Sequence, residues 1–316
     1  MEKILITGAS GQLGVVLTKA LQKKYGIENV IASDISKNDS FDGIFETLNV
    51  TNYDAVHNCI SRHKITQVYH LVAILSAKGE EEPLNTWNVN MNTLFNVFEA
   101  SRLNGVKKVF YPSSIAVFGE EIEYINTPQS PNLTPLTVYG MSKAAGENWA
   151  NYYYKKYGLD IRSVRYPGVI GYQSLPGGGT TDYAVSIYHN AVKNKDFDCF
   201  LEPSTTLPMI FMDDAIRATL ELMDAPEENI KIRTSYNLSG MSFNPKQIYE
   251  SIKSICPDFE ITYTPDFRQE IANSWPKSID DSQAKQDWGW KPAYDLDAMS
   301  KEMIKKLNKH YSLLSI

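Results

Sequence analysis

Two side chains near the middle of the 316-residue sequence, Tyr139 and Lys143, have the types and spacing to move a proton to or from an alcohol. Four residues apart on a helix, they share one face. A phenol ionises near pH 10 in the unperturbed state, and a neighbouring ammonium favours the phenolate and lowers that value. The pair can then act as base or acid on a hydroxyl, the proton half of an alcohol–ketone redox step. The same pattern also fits a half-buried aromatic beside a solvated lysine, so its meaning depends on the surrounding elements.

The hydride half of such a step needs a nucleotide cofactor, and the N-terminal stretch has a place for one. A β-rich run, residues 3–7, leads into Gly8-Ala9-Ser10-Gly11-Gln12-Leu13-Gly14 and then a helical stretch to Tyr25, stopped by Gly26. A second strand over Val30–Ser33 ends at Asp34. Glycines between strand and helix allow a tight turn, close backbone approach to a pyrophosphate and close helix–strand packing, and the helix start offers free N–H groups. The spacing is G-x-x-G-x-x-G. Asp34 stands where a carboxylate accepts the ribose hydroxyls and repels a 2′-phosphate, and no arginine is beside it, which favours NAD over NADP. The plainer readings are a glycine-rich turn without ligand and a solvated aspartate.

Strand and helix signals keep alternating: a short strand or adenine approach at 45–50, a helix over 53–63, a strand over 68–71, a helix over 87–104 closed by Gly105, a strand over 108–111, the Tyr139 helix to Gly158, and a strand over 161–166. This predicts an α/β fold with a doubly wound parallel sheet covered on both faces. Loops at 72–79, 112–114 and 167–168 lie at strand carboxyl ends, where ligands bind in such sheets. Beyond residue 170 the pattern changes to a glycine-rich loop, Pro176–Asp182, then helices at 182–193, 213–224, 267–272, 278–288 and 296–311, with short strands at 235–239 and 261–264. We expect a cofactor-binding domain over 1–170, with 211–240 returning to it, and a smaller C-terminal substrate-binding lobe from 171–210 and 241–316.

Composition narrows the class. A 43% hydrophobic and 22% charged chain is that of an ordinary soluble protein. A net charge of −6 argues against nucleic acid and against an anionic membrane surface. The apolar run Ile4–Ile6 is too short for a signal peptide, and no run is long enough for a membrane span, so a cytoplasmic location is expected. Cys59, Cys199 and Cys256 are scattered, fitting reduced thiols, and the five histidines form no ligand-spaced cluster, so no metal is expected.

Taken together, Gly8–Gly14, Asp34, the Ser114-Ile115-Ala116-Val117-Phe118-Gly119 block and Tyr139 with Lys143 resemble the extended short-chain dehydrogenase/reductase superfamily, with its Rossmann-like fold. Leu75–Glu80, Pro176–Ala184, Ser274-Trp275-Pro276 and the Asp280–Lys291 stretch narrow the resemblance to the metal-free, short-chain type of L-threonine 3-dehydrogenase. That resemblance implies NAD-dependent oxidation of L-threonine to L-2-amino-3-oxobutanoate. It implies Tyr139 as base, Lys143 holding it ionised and bonding the nicotinamide ribose, and Ser114 (with Ser113 as runner-up) holding the hydroxyl. The implied cofactor contacts are Gly8, Gly11, Gln12, Leu13, Gly14, Asp34, Ile35, Asn49, Val50, Leu71, Ala73, Asn90, Tyr139, Lys143 and Tyr166, and Asn90 also matches the family's asparagine that supports the active-site helix. It also implies a homodimer through the helices near 87–104 and 140–157.

Threonine carries an ammonium and a carboxylate, and each needs a partner once buried. Thr180 and Asp182 in the glycine-rich loop, with Ser76, join Ser114 and Tyr139 as the substrate contacts. Asp182 also reads as an N-cap, a role that can coexist with the first, and Gly177–Gly179 as a hinge for a closing loop. Trp275, Trp288 and Trp290 read as pocket wall or core, Tyr152–Tyr154 as helix packing or dimer surface, and Glu80–Glu82 as a solvated face. Two rivals remain: a nucleotide-sugar epimerase or dehydratase with the same catalytic core, and an NAD-binding sensor without activity.

Overall fold

Every residue of the strand Ile4–Thr7 is buried, as are nearly all residues of its neighbours, because helices cover both faces of the sheet they form. The computed structural model describes residues 2–36, 38, 41–173, 175–177 and 179–314. Its first half runs β1 (Ile4–Thr7), α1 (Gln12–Tyr25), β2 (Val30–Asp34), β3 (Ile44–Thr47), α2 (Tyr53–His63), β4 (Gln67–His70), one-turn α3 (Ser76–Gly79), α4 (Pro83–Leu103), β5 (Lys108–Phe110) and β6 (Ser113–Ser114). Then follow α5 (Val138–Tyr157), β7 (Asp160–Arg162), β8 (Val164–Tyr166) and β9 (Gly168–Ile170). The remainder is α6 (Tyr183–Ala191), β10 (Phe197–Cys199), β11 (Leu207–Phe211), α7 (Met212–Asp224), β12 (Tyr236–Asn237), β13 (Met241–Phe243), α8 (Pro245–Lys253), β14 (Ile261–Tyr263), α9 (Arg268–Asn273), α10 (Ser282–Trp288) and α11 (Leu296–Leu314).

The main sheet is parallel, in the order β3-β2-β1-β4-β5-β7. The order reverses between β1 and β4, which opens a crevice at their carboxyl ends. Side chains alternate across the sheet. Ile4, Ile6, Tyr69 and Phe110 pack under α1 and α7, while Leu5, Ile31, Val68 and Val109 pack under α2, α4 and α5. A third core joins Ile115–Phe118 to α6, α8, Trp275 and α11.

Arg162 ties the sheet to α7. It is fully buried, forks onto Asp160, and donates to Leu222 O at 2.7 Å and Ala225 O at 2.6 Å, at the negative end of the helix dipole. Arg233 adds a second buried pair with Asp160 at 2.6 Å.

Several elements differ from the expectations above. The strand over 161–166 is broken at Ser163, because β7 pairs with β5 whereas β8 pairs with β6 and β12. The long helix α4 starts earlier, with Pro83 in its first turn. The helix at 278–288 starts only at Ser282, since Ile279 bridges to Thr127 and the Asp280 carboxylate accepts from Ser282 N. Strands β10, β11 and β13 and helix α8 were not anticipated, although Asn244 and Gln247 form a capping box at the start of α8. No helix among the described residues is long and apolar enough to cross a membrane.

Candidate active site

Helix α5 carries Tyr139 and Lys143. Thr137 Oγ1 caps it, accepting from Gly140 N at 3.1 Å, and Glu80 Oε1 accepts from Val138 N at 2.8 Å. Glu80 thus anchors the start of α5 rather than joining a purely solvated acidic face. Two glycines let the helix press against the strand ends. A Cβ at Gly140 would lie 2.0 Å from Ala116 O, and one at Gly146 would lie 2.4 Å from Tyr111 Oη.

That close approach brings α5 onto β6. There Ser114 lies beside the Tyr139 phenol and favours its ionised form, and its Oγ accepts from Ala116 N at 3.2 Å. Ser113, the runner-up serine, also lines the cleft but commits its proton to Glu147 Oε1 at 2.6 Å. Lys143 Nζ donates to Pro112 O at 2.7 Å and lies 4.5 Å from the Tyr111 ring centroid and 5.6 Å from that of Tyr139.

The protein's own electrostatics correct one expectation. Burial pushes Tyr139 up to about 12, with the bond from Ser114 pulling the other way, and Lys143 does not offset it. Lys143 is itself brought down to about 7 by burial, opposed by Glu147. Both groups sit in a desolvated wall, where each charged form is disfavoured.

The glycine turn lies across the crevice from this pair. Gly8 has φ +78°, and a Cβ at Gly14 would lie 2.2 Å from Gly8 O, so the turn and the helix behind it require glycine. At Gly11 a Cβ would touch only Gly8 O, at 3.3 Å, leaving the backbone open to the cleft it lines. Asp34, at the end of β2, accepts from Ser10 N at 3.0 Å and Ile35 N at 2.7 Å. A carboxylate has further lone pairs for ribose hydroxyls. These residues fit a dinucleotide.

The cleft is lined by Gly8, Gly11, Gln12, Leu13, Gly14, Leu71, Ala73, Ser76, Ser114, Tyr139, Lys143, Tyr166, Thr180 and Asp182. Asp34, Ile35, Asn49 and Val50 stand outside this lining, near the carboxyl ends of β2 and β3, where Leu48 N bonds Asp34 O at 2.8 Å. Asn90 is not a lining residue. Its amide carbonyl accepts from Ile74 N at 2.8 Å, and its NH2 donates to Ile74 O at 3.1 Å and Ser142 Oγ at 3.2 Å. It braces the loop after β4 against α5, which suits support better than cofactor contact.

Ser76 and Thr180 meet, with hydroxyl oxygens 3.3 Å apart, and both are buried. Asp182 stands at the N-cap of α6 without capping it. Its Oδ2 accepts from Gly179 N at 2.8 Å, which folds the loop back on itself. Of the expected hinge, Gly178 lies outside the described residues. Trp275 lines the cleft. Trp288 and Trp290 do not: they pack together beside Tyr236, and Trp290 donates its indole N–H to Ser239 O.

Sequence reasoning missed Pro112, whose carbonyl holds Lys143, because a backbone acceptor leaves no side-chain signal. It also missed Gly168, where a Cβ would lie 2.3 Å from Met209 Sδ and 2.8 Å from Thr181 Cβ. Its position at a strand end was the available clue.

A doubly wound parallel sheet, a glycine turn at its switch point and a Ser114–Tyr139–Lys143 set on one cleft define an NAD-dependent enzyme of the short-chain dehydrogenase/reductase kind. A model of the NAD dependent epimerase/dehydratase family matches residues 4–239, and the chain belongs to that family. An uncharacterised epimerase/dehydratase of Staphylococcus aureus is 42% identical over 314 residues, 98% of each chain. Among solved structures, the GalE-like L-threonine dehydrogenase of Cupriavidus necator in its holo form is 50% identical, with a TM-score of 0.95 over 96% of this chain and 99% of that one. A monomeric L-threonine 3-dehydrogenase from a metagenome is 46% identical, with a TM-score of 0.95 over 97% and 99%. The UDP-glucose 4-epimerase of Thermotoga maritima shares the fold at 22% identity and a TM-score of 0.86, over 98% of this chain and 99% of that one.

Proposed function

We propose that the chain oxidises L-threonine at Cβ with NAD, giving L-2-amino-3-oxobutanoate. The observation that carries this reading is the short polar wall beside Ser114 and Tyr139, made of the touching Ser76 and Thr180 hydroxyls and the Asp182 carboxylate. These groups match a small zwitterionic alcohol. Ser114 orients the hydroxyl and steadies the developing carbonyl oxygen, and Tyr139 takes the proton. NAD, when bound, supplies the hydride acceptor and a positive nicotinamide ring. With the phenol at about 12 from the protein alone, Lys143 included, the positive charge of bound NAD would supply the remaining shift toward the phenolate. Asp182 faces the substrate ammonium while bracing its loop through Gly179. The similarity to L-threonine dehydrogenases across nearly the whole chain supports the same substrate.

The rival, a nucleotide-sugar epimerase or dehydratase, needs cations for a diphosphate. Arg217 pairs with Asp214 and Glu221, Arg233 with Asp160, and Arg268 with Asp266, and none of them lines the cleft. An inactive sensor is disfavoured by the connected Ser114, Tyr139 and Lys143.

We assign the cofactor to residues 1–170 and 211–240, and the substrate lobe to 171–210 and 241–316, with α10 and Trp290 packing back onto the sheet side. A homodimer through α4 and α5 is supported by their exposed apolar residues, Leu84 and Trp87 on one and Met141, Trp149 and Tyr152 on the other, joined by the edge contact of Phe95 with Trp149. Purified protein supplied with NAD and L-threonine tests the activity by NADH absorbance, and sedimentation tests the dimer.

A further inference from the structure

One turn beyond Lys143 on α5 lies an anion that the chemistry above does not use. Glu147 is 1% exposed, and a carboxylate so buried must be paired. Arg165 Nε and Nη2 fork onto its two oxygens at 2.9 and 2.7 Å, and Ser113 Oγ donates to Oε1 at 2.6 Å. Arg165, on β8, also donates to Asn237 Oδ1 on β12 at 3.0 Å and to Gln129 O at 2.7 Å. The network locks α5 to three strands of the sheet extension.

Two consequences follow for the reacting groups. Ser113 is adjacent to Ser114 on the two-residue strand β6, so its bond to Glu147 holds Ser114 at the height where it meets Tyr139. The titratable groups facing Lys143 are Tyr139 and Glu147 on its own helix, Tyr111 after β5 and His70 on β4. Burial keeps Tyr111 and His70 neutral, and Arg165 lies on the far side of Glu147. Glu147 is thus the anion that opposes the desolvation of the Lys143 ammonium.

We propose that Glu147 is a positioning residue for the reaction, holding Ser114 in register through Ser113 and keeping Lys143 charged. The role deepens the dehydrogenase reading and rests on it for turnover, but the charge effect is readable in the free protein. The experiment is a titration of the Lys143 side chain by carbon-13 NMR in lysine-labelled protein, with the signal assigned by Lys143→Met. In Glu147→Gln the midpoint should fall by about one pH unit, as expected for losing an opposite charge one helical turn away. The basic limb of NAD-linked turnover should move down by the same amount. An unchanged midpoint in a folded Glu147→Gln overturns the charge role, whether or not threonine is the substrate. Ser113→Ala leaves the carboxylate in place and carries the test if Glu147→Gln is too unstable to titrate. Its Lys143 midpoint should stay within about 0.2 units while kcat falls about tenfold with KM for NAD unchanged. A shifted midpoint or an undiminished kcat in Ser113→Ala contradicts the division of roles.

Discussion

Ser76 and Thr180 are 104 residues apart in sequence, yet their hydroxyl oxygens lie 3.3 Å apart. One belongs to the single turn after β4 and the other to the loop before α6, so the contact joins the cofactor sheet to the segment that covers it. Each hydroxyl has a partner before any substrate arrives, which keeps two buried polar groups satisfied.

This pairing makes the two residues energetically coupled. Ser76→Ala and Thr180→Val should each lower kcat/KM for threonine by about 10- to 100-fold, the loss of one buried hydrogen bond. The double variant should lose less than the product of the two, since contacting residues are not additive. Strict multiplicativity in steady-state kinetics would show that they act independently.

Tyr139→Phe removes the proton acceptor and keeps the ring. Turnover should drop by about two to four orders of magnitude, with NAD binding retained. Calorimetric titration with NAD beside the rate measurement separates the two effects. Substantial remaining activity would take Tyr139 out of the base role.

Asp34→Asn leaves the shape of the ribose site and removes its charge. NAD affinity should weaken about tenfold, and discrimination against NADP should relax. Equal affinities in fluorescence titrations of the two proteins would refute the ribose contact.

His70 gives a pH prediction outside the catalytic pair. It is fully buried against Tyr111, bonded to Thr7 through Nδ1 at 2.8 Å, and burial, with Lys143 nearby, brings it down to about 3. Between that value and its ordinary 6.5 the unfolded chain binds a proton that the folded chain does not. Its contribution to stability is therefore complete above 6.5 and is lost as pH falls toward 3. Urea unfolding of His70→Asn should show a shallower fall in stability between pH 6.5 and 4.5 than the parent chain. Parallel curves would mean that another group governs the acid limb.

The strand–helix alternation of the first 170 residues was legible because the buried strands are short apolar runs and α1, α4 and α5 stop at Gly26, Gly105 and Gly158, whereas the one-turn α3 sat unseen in the expected 72–79 loop. That Ser114, Tyr139, Lys143 and the glycine turn share one cleft was legible because the chemistry proposed for them needs particular side chains at fixed spacing. What lay beyond the sequence depends on approach in space. The Pro112 carbonyl on Lys143, Glu80 on the start of α5 and the Glu147–Arg165 pair bring together residues from separate elements. The upward shift of Tyr139 was hidden for a similar reason, since spacing shows the nearby lysine and not the desolvation that outweighs it. Asn90 was expected both to support the active-site helix and to touch the cofactor, and the Trp288–Trp290 pair read as pocket wall or core, because residue type alone does not distinguish a brace or core aromatic from a contact.

The most direct test of the central claim follows NADH formation at 340 nm on mixing the purified protein with NAD and, in separate reactions, L-threonine, L-allo-threonine, L-serine and UDP-sugars. The account predicts NADH formation with L-threonine, stopped by Tyr139→Phe, and no turnover of UDP-sugars by product analysis. Conversion of a UDP-sugar without oxidation of threonine would contradict it.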